Sequence, residues 1–134
     1  MTWIKTVNFD DADETLRRLW QQTRDLYPPE YAVAVEGLDE SHGGGITQSH
    51  SLVPNILFHA MGLLGVALSP DLPLERRQHE MIATVVSATN HTYYCTTSHT
   101  EFLNRVIGDD GVADAVSRDF RSAPISDADR AMLE

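Results

Sequence analysis

Between Pro73 and Val106 the apolar residues recur at helical spacing in two consecutive runs, and this pair of runs most constrains the fold. In the first, Leu74, Met81, Ile82, Val85 and Val86 fall on one face, and Thr89-Asn90 breaks the pattern. The second begins near Thr92, carries Cys95, His99, Phe102, Leu103 and Val106, and stops at Gly108. A 3.6-residue period predicts two amphipathic helices joined by a tight connection. Val85-Val86 is the only strong β-type signal, and it sits inside a helical period.

The rest of the chain reads the same way. Asp11 to about Leu26 places Leu16, Leu19, Trp20 and Tyr27 at helical spacing, with Pro28-Pro29 as the stop. Glu30 to Gln48, with Gly43-Gly44-Gly45, reads as a flexible loop or flap. Those glycines lack the Lys-Ser that a phosphate loop requires. Ser51 to Leu68 predicts a well-buried helix, because its apolar residues ring most of the surface. Pro54 suits its first turn and Ser51 or its neighbour suits the cap, while Gly62 and Gly65 suit helix–helix contacts. Val112 to Phe120 predicts a further short helix, and Ser126-Asp-Ala-Asp129 resembles the opening of another. Its apolar end, Ala131 to Leu133, calls for cover from another subunit. The expected fold class is all-α, and 134 residues suit a single domain.

Charge and composition remove several functions. A net charge of -10 without any basic stripe argues against nucleic acid, which is held by clustered Lys and Arg. The pairs Arg17-Arg18 and Arg76-Arg77 read as solvated helix faces. The longest apolar run, Met61 to Leu68, is far short of a membrane span. The start of the chain lacks a charged-then-apolar signal pattern, and the single cysteine cannot form an internal disulfide. For the same reason the glycosylation-type triplet Asn90-His91-Thr92 is set aside, and a cytoplasmic location is expected.

The chemistry concentrates in Glu80 to His99, written E-x11-T-x2-C-x3-H. Cys95 and His99 lie four apart, so a helix puts both on one face. A thiol becomes a good nucleophile as the thiolate, which a neighbouring base provides. Glu80 can orient that base, completing the order nucleophile, base and orienting group. Thr92, at the expected N-cap, would put Cys95 in the first helical turn, where the dipole lowers a thiol pKa. The bland alternative stays open: Cys95 a small buried hydrophobe, His99 a satisfied core histidine and Glu80 a surface carboxylate. Cys95, His99 and a carboxylate also match zinc ligands in type. The other histidines, His42, His50, His59, His79 and His91, are scattered, and no metal is expected. Tyr93-Tyr94 and Trp20 read as packing residues.

The stretch Arg76-Arg77-Gln-His-Glu80-Met-Ile-Ala-Thr-Val-Val-Ser-Ala-Thr-Asn90-His-Thr-Tyr-Tyr-Cys95-Thr-Thr-Ser-His99 resembles the signature of the carboxymuconolactone decarboxylase / AhpD-like superfamily. It is most similar to the peroxidase-related, alkylhydroperoxidase-like branch, which Trp3-Ile4 and His50-Ser-Leu-x-Pro54 also resemble. The resemblance covers about Ser49 to Ile107, weakens before it and is lost at the C-terminus. It implies one AhpD-like helical bundle over 1–134, homo-oligomeric and continuing beyond Ser126 in relatives, so that this chain would be shortened at its C-terminus.

In AhpD-like members a Cys-x-x-Cys pair opens a helix, with a histidine four residues beyond the second cysteine and a glutamate twelve before the first. Carried over, Glu80 matches the glutamate, Cys95 the second cysteine and His99 the histidine. Thr92 stands where the first cysteine belongs. Disulfide cycling within one chain is thereby excluded. The resemblance implies an antioxidant oxidoreductase in which Cys95 reduces a small hydroperoxide without any cofactor and an external thiol resolves the product. Thr92 would donate a hydrogen bond to the thiolate or the peroxide. Two alternatives accompany it. One is a decarboxylase-type lyase on a small carboxylated lactone, with His99 and Glu80 as acid and base and Arg76, Arg77 or Arg105 as the substrate's cation. The other is a degenerate member serving as a binding or assembly module.

Overall fold

The structure, a computed structural model, describes residues 4–38 and 45–134. Trp3, His42, Gly43 and Gly44 lie outside the described residues. Among the described residues there are seven α-helices, one 3-10 turn and no strand, as the periodicity predicts. The chain packs as two compact units, Met1–Ser69 and Pro70–Glu134.

The first unit is built on α1 (Glu14–Arg24) and α3 (Pro54–Ala67). Asp13 caps α1, its carboxylate accepting from the Leu16 N–H at 2.8 Å. Leu16 and Trp20 of α1 pack with Leu57 and Met61 of α3. At Gly65 the two segments touch so closely that a Cβ would lie 2.6 Å from the Leu26 Cβ, which bears out the contact role expected of that glycine. Between these helices, the predicted connector holds a 3-10 turn at Pro29–Ala32 and the short α2, Gly45–Ser49.

Two expectations for α3 change. Pro54 does sit in the first turn, but the N-cap is Val53 and makes no side-chain bond. Ser51 instead accepts from the Val7 N–H at 2.7 Å, tying the segment before α1 to the entry of α3. The helix is not well buried either. Leu57, Met61 and Gly65 are covered, while Ile56, Leu63, Leu64 and Val66 are exposed. Apolar residues all round a helix give no signal of which face its own chain covers.

The second unit comprises α4 (Arg76–Thr89), α5 (Tyr93–Ile107), α6 (Asp110–Asp119) and α7 (Asp127–Leu133). Its core joins Met81 of α4, Leu103 of α5, Ala113 and Val116 of α6, Phe120 and Ala123. The Glu75 N–H donates to Gln78 Oε1 at 3.0 Å, one half of a capping box at the start of α4. Asp109 caps α6, and Ser126 caps α7 by accepting from the Asp129 N–H.

Three residues join α4 to α5. The His91 N–H donates to the Ala88 carbonyl at 3.0 Å and the Thr92 N–H to the Ser87 carbonyl at 3.1 Å. These are the two bonds of a Schellman turn, which needs a left-handed residue at its centre. That residue is His91, with φ 53. At the far end of α5, Gly108 takes the same conformation with φ 75.

The apolar C-terminal end finds cover within its own unit, contrary to expectation. Met132 and Leu133 pack against the α4–α5–α6 core. Arg77 Nη1 and Gln78 Nε2 donate to the two carboxylate oxygens of Asp129, at 2.6 and 2.8 Å, and fasten α7 to α4. The pair Arg76-Arg77 is therefore engaged with carboxylates and is not a solvated face.

Candidate active site

Glu80 lies one turn into α4 and is fully buried, not the surface carboxylate of the bland reading. Its two oxygens face different bases. Arg76 Nη2, one turn earlier on the same helix, donates to Oε1, and His99 Nδ1 lies 2.8 Å from Oε2. A buried carboxylate costs several kcal/mol unless it is paired and hydrogen-bonded, and here both conditions are met. His99 is itself mostly buried, its ring edge-on to Phe102 with centroids 6.0 Å apart. Glu80 and His99, nineteen residues apart in sequence, thus meet where α4 packs on α5.

Cys95 occupies the third position of α5, one turn before His99, and is half-buried as a free thiol. Among the described residues no hydrogen bond reaches its sulfur. Burial pushes the thiol pKa up, opposite to the lowering expected from the first helical turn. Removal of water destabilises the thiolate, and among the described residues no cation against the sulfur offsets that loss. Thr92 has the extended backbone of an N-cap, and its carbonyl accepts the first helical bond from Thr96 at 2.9 Å. Its side chain makes no capping bond and is exposed, so the expected capping role does not hold. Among the described residues the hydroxyl has no hydrogen-bond partner, and it stands at the start of the cysteine's turn.

His79, adjacent to Glu80, was legible only as one of several scattered histidines. It is 5% exposed, and neither ring nitrogen has a hydrogen-bond partner among the described residues. Burial first, then the neighbouring Arg76 charge, push its pKa down, against a smaller opposite pull from Glu80. The imidazole is neutral as a result. Tyr93, expected to pack, is largely exposed, while Trp20 is buried edge-on to Phe9.

The other two arginines named as possible cations for a substrate are also occupied. Arg77 bonds Asp129 and Glu75, and Arg105 bonds Glu101 at 2.8 Å while lying over the Phe102 ring. Among the described residues no three His, Cys, Asp or Glu side chains are grouped to hold a metal ion. No described helix is long and apolar enough to cross a membrane. A cavity of about 330 Å³ lies between α4 and α6, lined by Val85, Thr89, Val116, Phe120 and Arg121 among others. It includes none of Glu80, Thr92, Cys95 or His99.

No protein-family model and no curated protein matches the sequence. Two solved structures match the fold. One is the alkylhydroperoxidase AhpD core of an uncharacterized peroxidase-related protein from Ralstonia eutropha JMP134, with a TM-score of 0.72 at 19% identity over 97% of this chain. The other is an uncharacterized peroxidase-related protein from Silicibacter sp. TM1040, with a TM-score of 0.69 at 20% identity over 99% of this chain. This chain spans 62% and 66% of the lengths of those two proteins. It has the all-helical fold of the AhpD core.

Proposed function

We propose that this chain is a peroxidase-related thiol protein that reduces small hydroperoxides with one cysteine and an external thiol. The observation that supports this reading most is the buried Glu80–His99 pair, standing one helical turn from Cys95.

Because burial raises the thiol pKa, Cys95 rests as the neutral thiol, and proton removal belongs to the chemical step. His99 takes the proton as the sulfur attacks the terminal oxygen of ROOH. An S–O bond forms and the O–O bond breaks. The departing alkoxide receives the proton that His99 carries, giving ROH and a Cys95 sulfenic acid. Sulfur has lost two electrons and the peroxide has gained them. An external thiol then displaces water from the sulfenic acid, and a second releases Cys95 and an external disulfide. Glu80 orients His99 and balances its charge while it holds the proton. Thr92 donates its uncommitted hydroxyl to the peroxide. In this reading the protein works in the cytoplasm without a cofactor, as a homo-oligomer whose subunits cover the exposed apolar face of α3.

The test is peroxide consumption with a supplied dithiol, comparing the native chain with Cys95→Ser. Loss of turnover in the variant supports the reading, and retained turnover overturns it. One observation favours a second reading: a raised, unbonded thiol also suits a catalytically silent binding or assembly module. That reading predicts no turnover in the native protein and slow alkylation of Cys95. The lyase alternative has less support, since Arg76, Arg77 and Arg105 all already hold carboxylates.

A further inference from the structure

The arrangement at Glu80 bears on a property of His99 that neither its spacing nor its fold reveals, namely which ring nitrogen carries the proton. A neutral imidazole has one N–H donor and one acceptor, and its hydrogen-bond partner selects between them. Nδ1 of His99 faces Glu80 Oε2 at 2.8 Å. If Glu80 is ionised it can only accept, so Nδ1 must carry the hydrogen and Nε2 is the unprotonated nitrogen. If Glu80 is protonated it donates to Nδ1, and the hydrogen moves to Nε2. Only the first state leaves His99 able to take a proton at Nε2.

Full burial pushes a carboxylic acid toward the second state. Arg76 opposes this, because its guanidinium stays charged at any working pH and donates to the other carboxylate oxygen. A charge-assisted bond of that kind favours the ionised acid. Arg76 is also the side chain placed to do so by local sequence, one turn before Glu80 on α4.

We infer that Arg76 is a positioning residue: acting through Glu80, it fixes His99 as the Nδ1–H tautomer and leaves Nε2 as the proton acceptor. The value of that tautomer for catalysis rests on the peroxidase reading, whereas the tautomer itself does not.

The experiment is nitrogen NMR of the histidine side chains in the full chain at about pH 9, above the titration range of ordinary imidazoles. The His99 signals are assigned by their loss in His99→Gln. In the native protein, Nδ1 is expected in the protonated range and Nε2 in the unprotonated range. Arg76→Met is expected to move both signals toward the opposite tautomer, and Arg76→Lys to restore them.

Glu80→Gln supplies an independent arm should Arg76→Met not fold. Arg76 would hold the amide oxygen, turning the amide NH2 toward Nδ1 and forcing the hydrogen onto Nε2. A native spectrum with Nε2 protonated would overturn the inference, as would an unchanged Nδ1–H signal in the folded variants. Peroxide consumption, measured alongside, should fall about tenfold in Arg76→Met and Glu80→Gln and recover in Arg76→Lys. If the native protein consumes no peroxide yet shows this tautomer pattern, the peroxidase reading fails and the role of Arg76 stands.

Discussion

Arg77 and Asp129 stand 52 residues apart in sequence and form a 2.6 Å ion pair that fastens α7 to the first turn of α4. Asp129 is almost fully buried, and Arg77, Gln78 and Ser126 all bond its carboxylate. The Arg77 bond, with those of Gln78 and Ser126, holds the Asp129 pKa down to about 2. Its folded value lies below its unfolded value. Its contribution to stability is therefore complete above about pH 4 and lost as the pH falls toward about 2. We expect Asp129→Asn to cost on the order of 2 kcal/mol near neutral pH. The native protein should lose thermal stability more steeply between about pH 4 and pH 2 than the variant does. Melting curves followed by circular dichroism across that range check this, and parallel curves would refute it.

Gly65 and Gly62 provide a matched contrast on α3. A Cβ at Gly65 would meet the Leu26 Cβ at 2.6 Å, whereas at Gly62 the nearest atom, Leu26 Cδ1, is 3.9 Å away. Gly65→Ala should destabilise the chain by about 1–3 kcal/mol through overpacking. Gly62→Ala should be neutral or stabilising by up to about 1 kcal/mol, since alanine is the better helix former. Urea denaturation of the two variants decides it.

The left-handed His91 between α4 and α5 carries a backbone cost that glycine would not. Its side chain is exposed. His91→Gly should raise stability by about 0.5–1 kcal/mol, after allowing for the greater freedom of glycine in the unfolded chain. A fall in the denaturation midpoint would mean that the imidazole makes a stabilising contact.

The raised Cys95 pKa separates resting acidity from catalysis. Iodoacetamide alkylation of the native chain should reach half its maximal rate above pH 9.0, the ordinary thiol value. His99→Ala should leave that midpoint nearly unmoved yet lower kcat/KM for peroxide about a hundredfold. A midpoint well below 9.0 would show a preformed thiolate, and His99 would not be needed in the chemical step as argued.

Leu63 is 72% exposed on the apolar outer face of α3, close to Ile56, Leu64 and Val66 in sequence. If subunits assemble through this face, as proposed above, the native chain should have the mass of an oligomer, and Leu63→Asp should shift it toward that of one chain while leaving helix content intact, as read by light scattering and circular dichroism. A native mass of one chain, or a mass unchanged by the substitution, would overturn assembly through α3.

Much of this architecture can be read from local pattern. The helical periods, the stops at Pro28 and Gly108, and the opening of α7 at Ser126 all depend on residues within one or two turns of each other. The Arg76–Glu80 bond is of the same kind, a four-residue spacing on one helix, and was legible in principle. Arg77–Asp129 was not, because a surface-looking arginine gains its partner only once α7 folds back onto α4. The direction of the Cys95 shift was illegible for a related reason. Position in the first helical turn is written in the sequence, whereas loss of water around the sulfur comes from packing. Thr92 shows the converse case, with the right residue type at the right place and a side chain that makes no capping bond.

The short Schellman turn at His91 acts as a gauge block between the two halves of the site. It leaves no slack between the helix that carries the acid and the helix that carries the base and the thiol. One residue added or removed within the first turn of α5 would rotate Cys95 and His99 by about 100° about the helix axis. Glu80 would then face a different side of α5, still paired with Arg76 and no longer in touch with the imidazole. The count of residues from Glu80 to His99 is thus a dimension of the site, as binding on its chemistry as the identity of the side chains themselves.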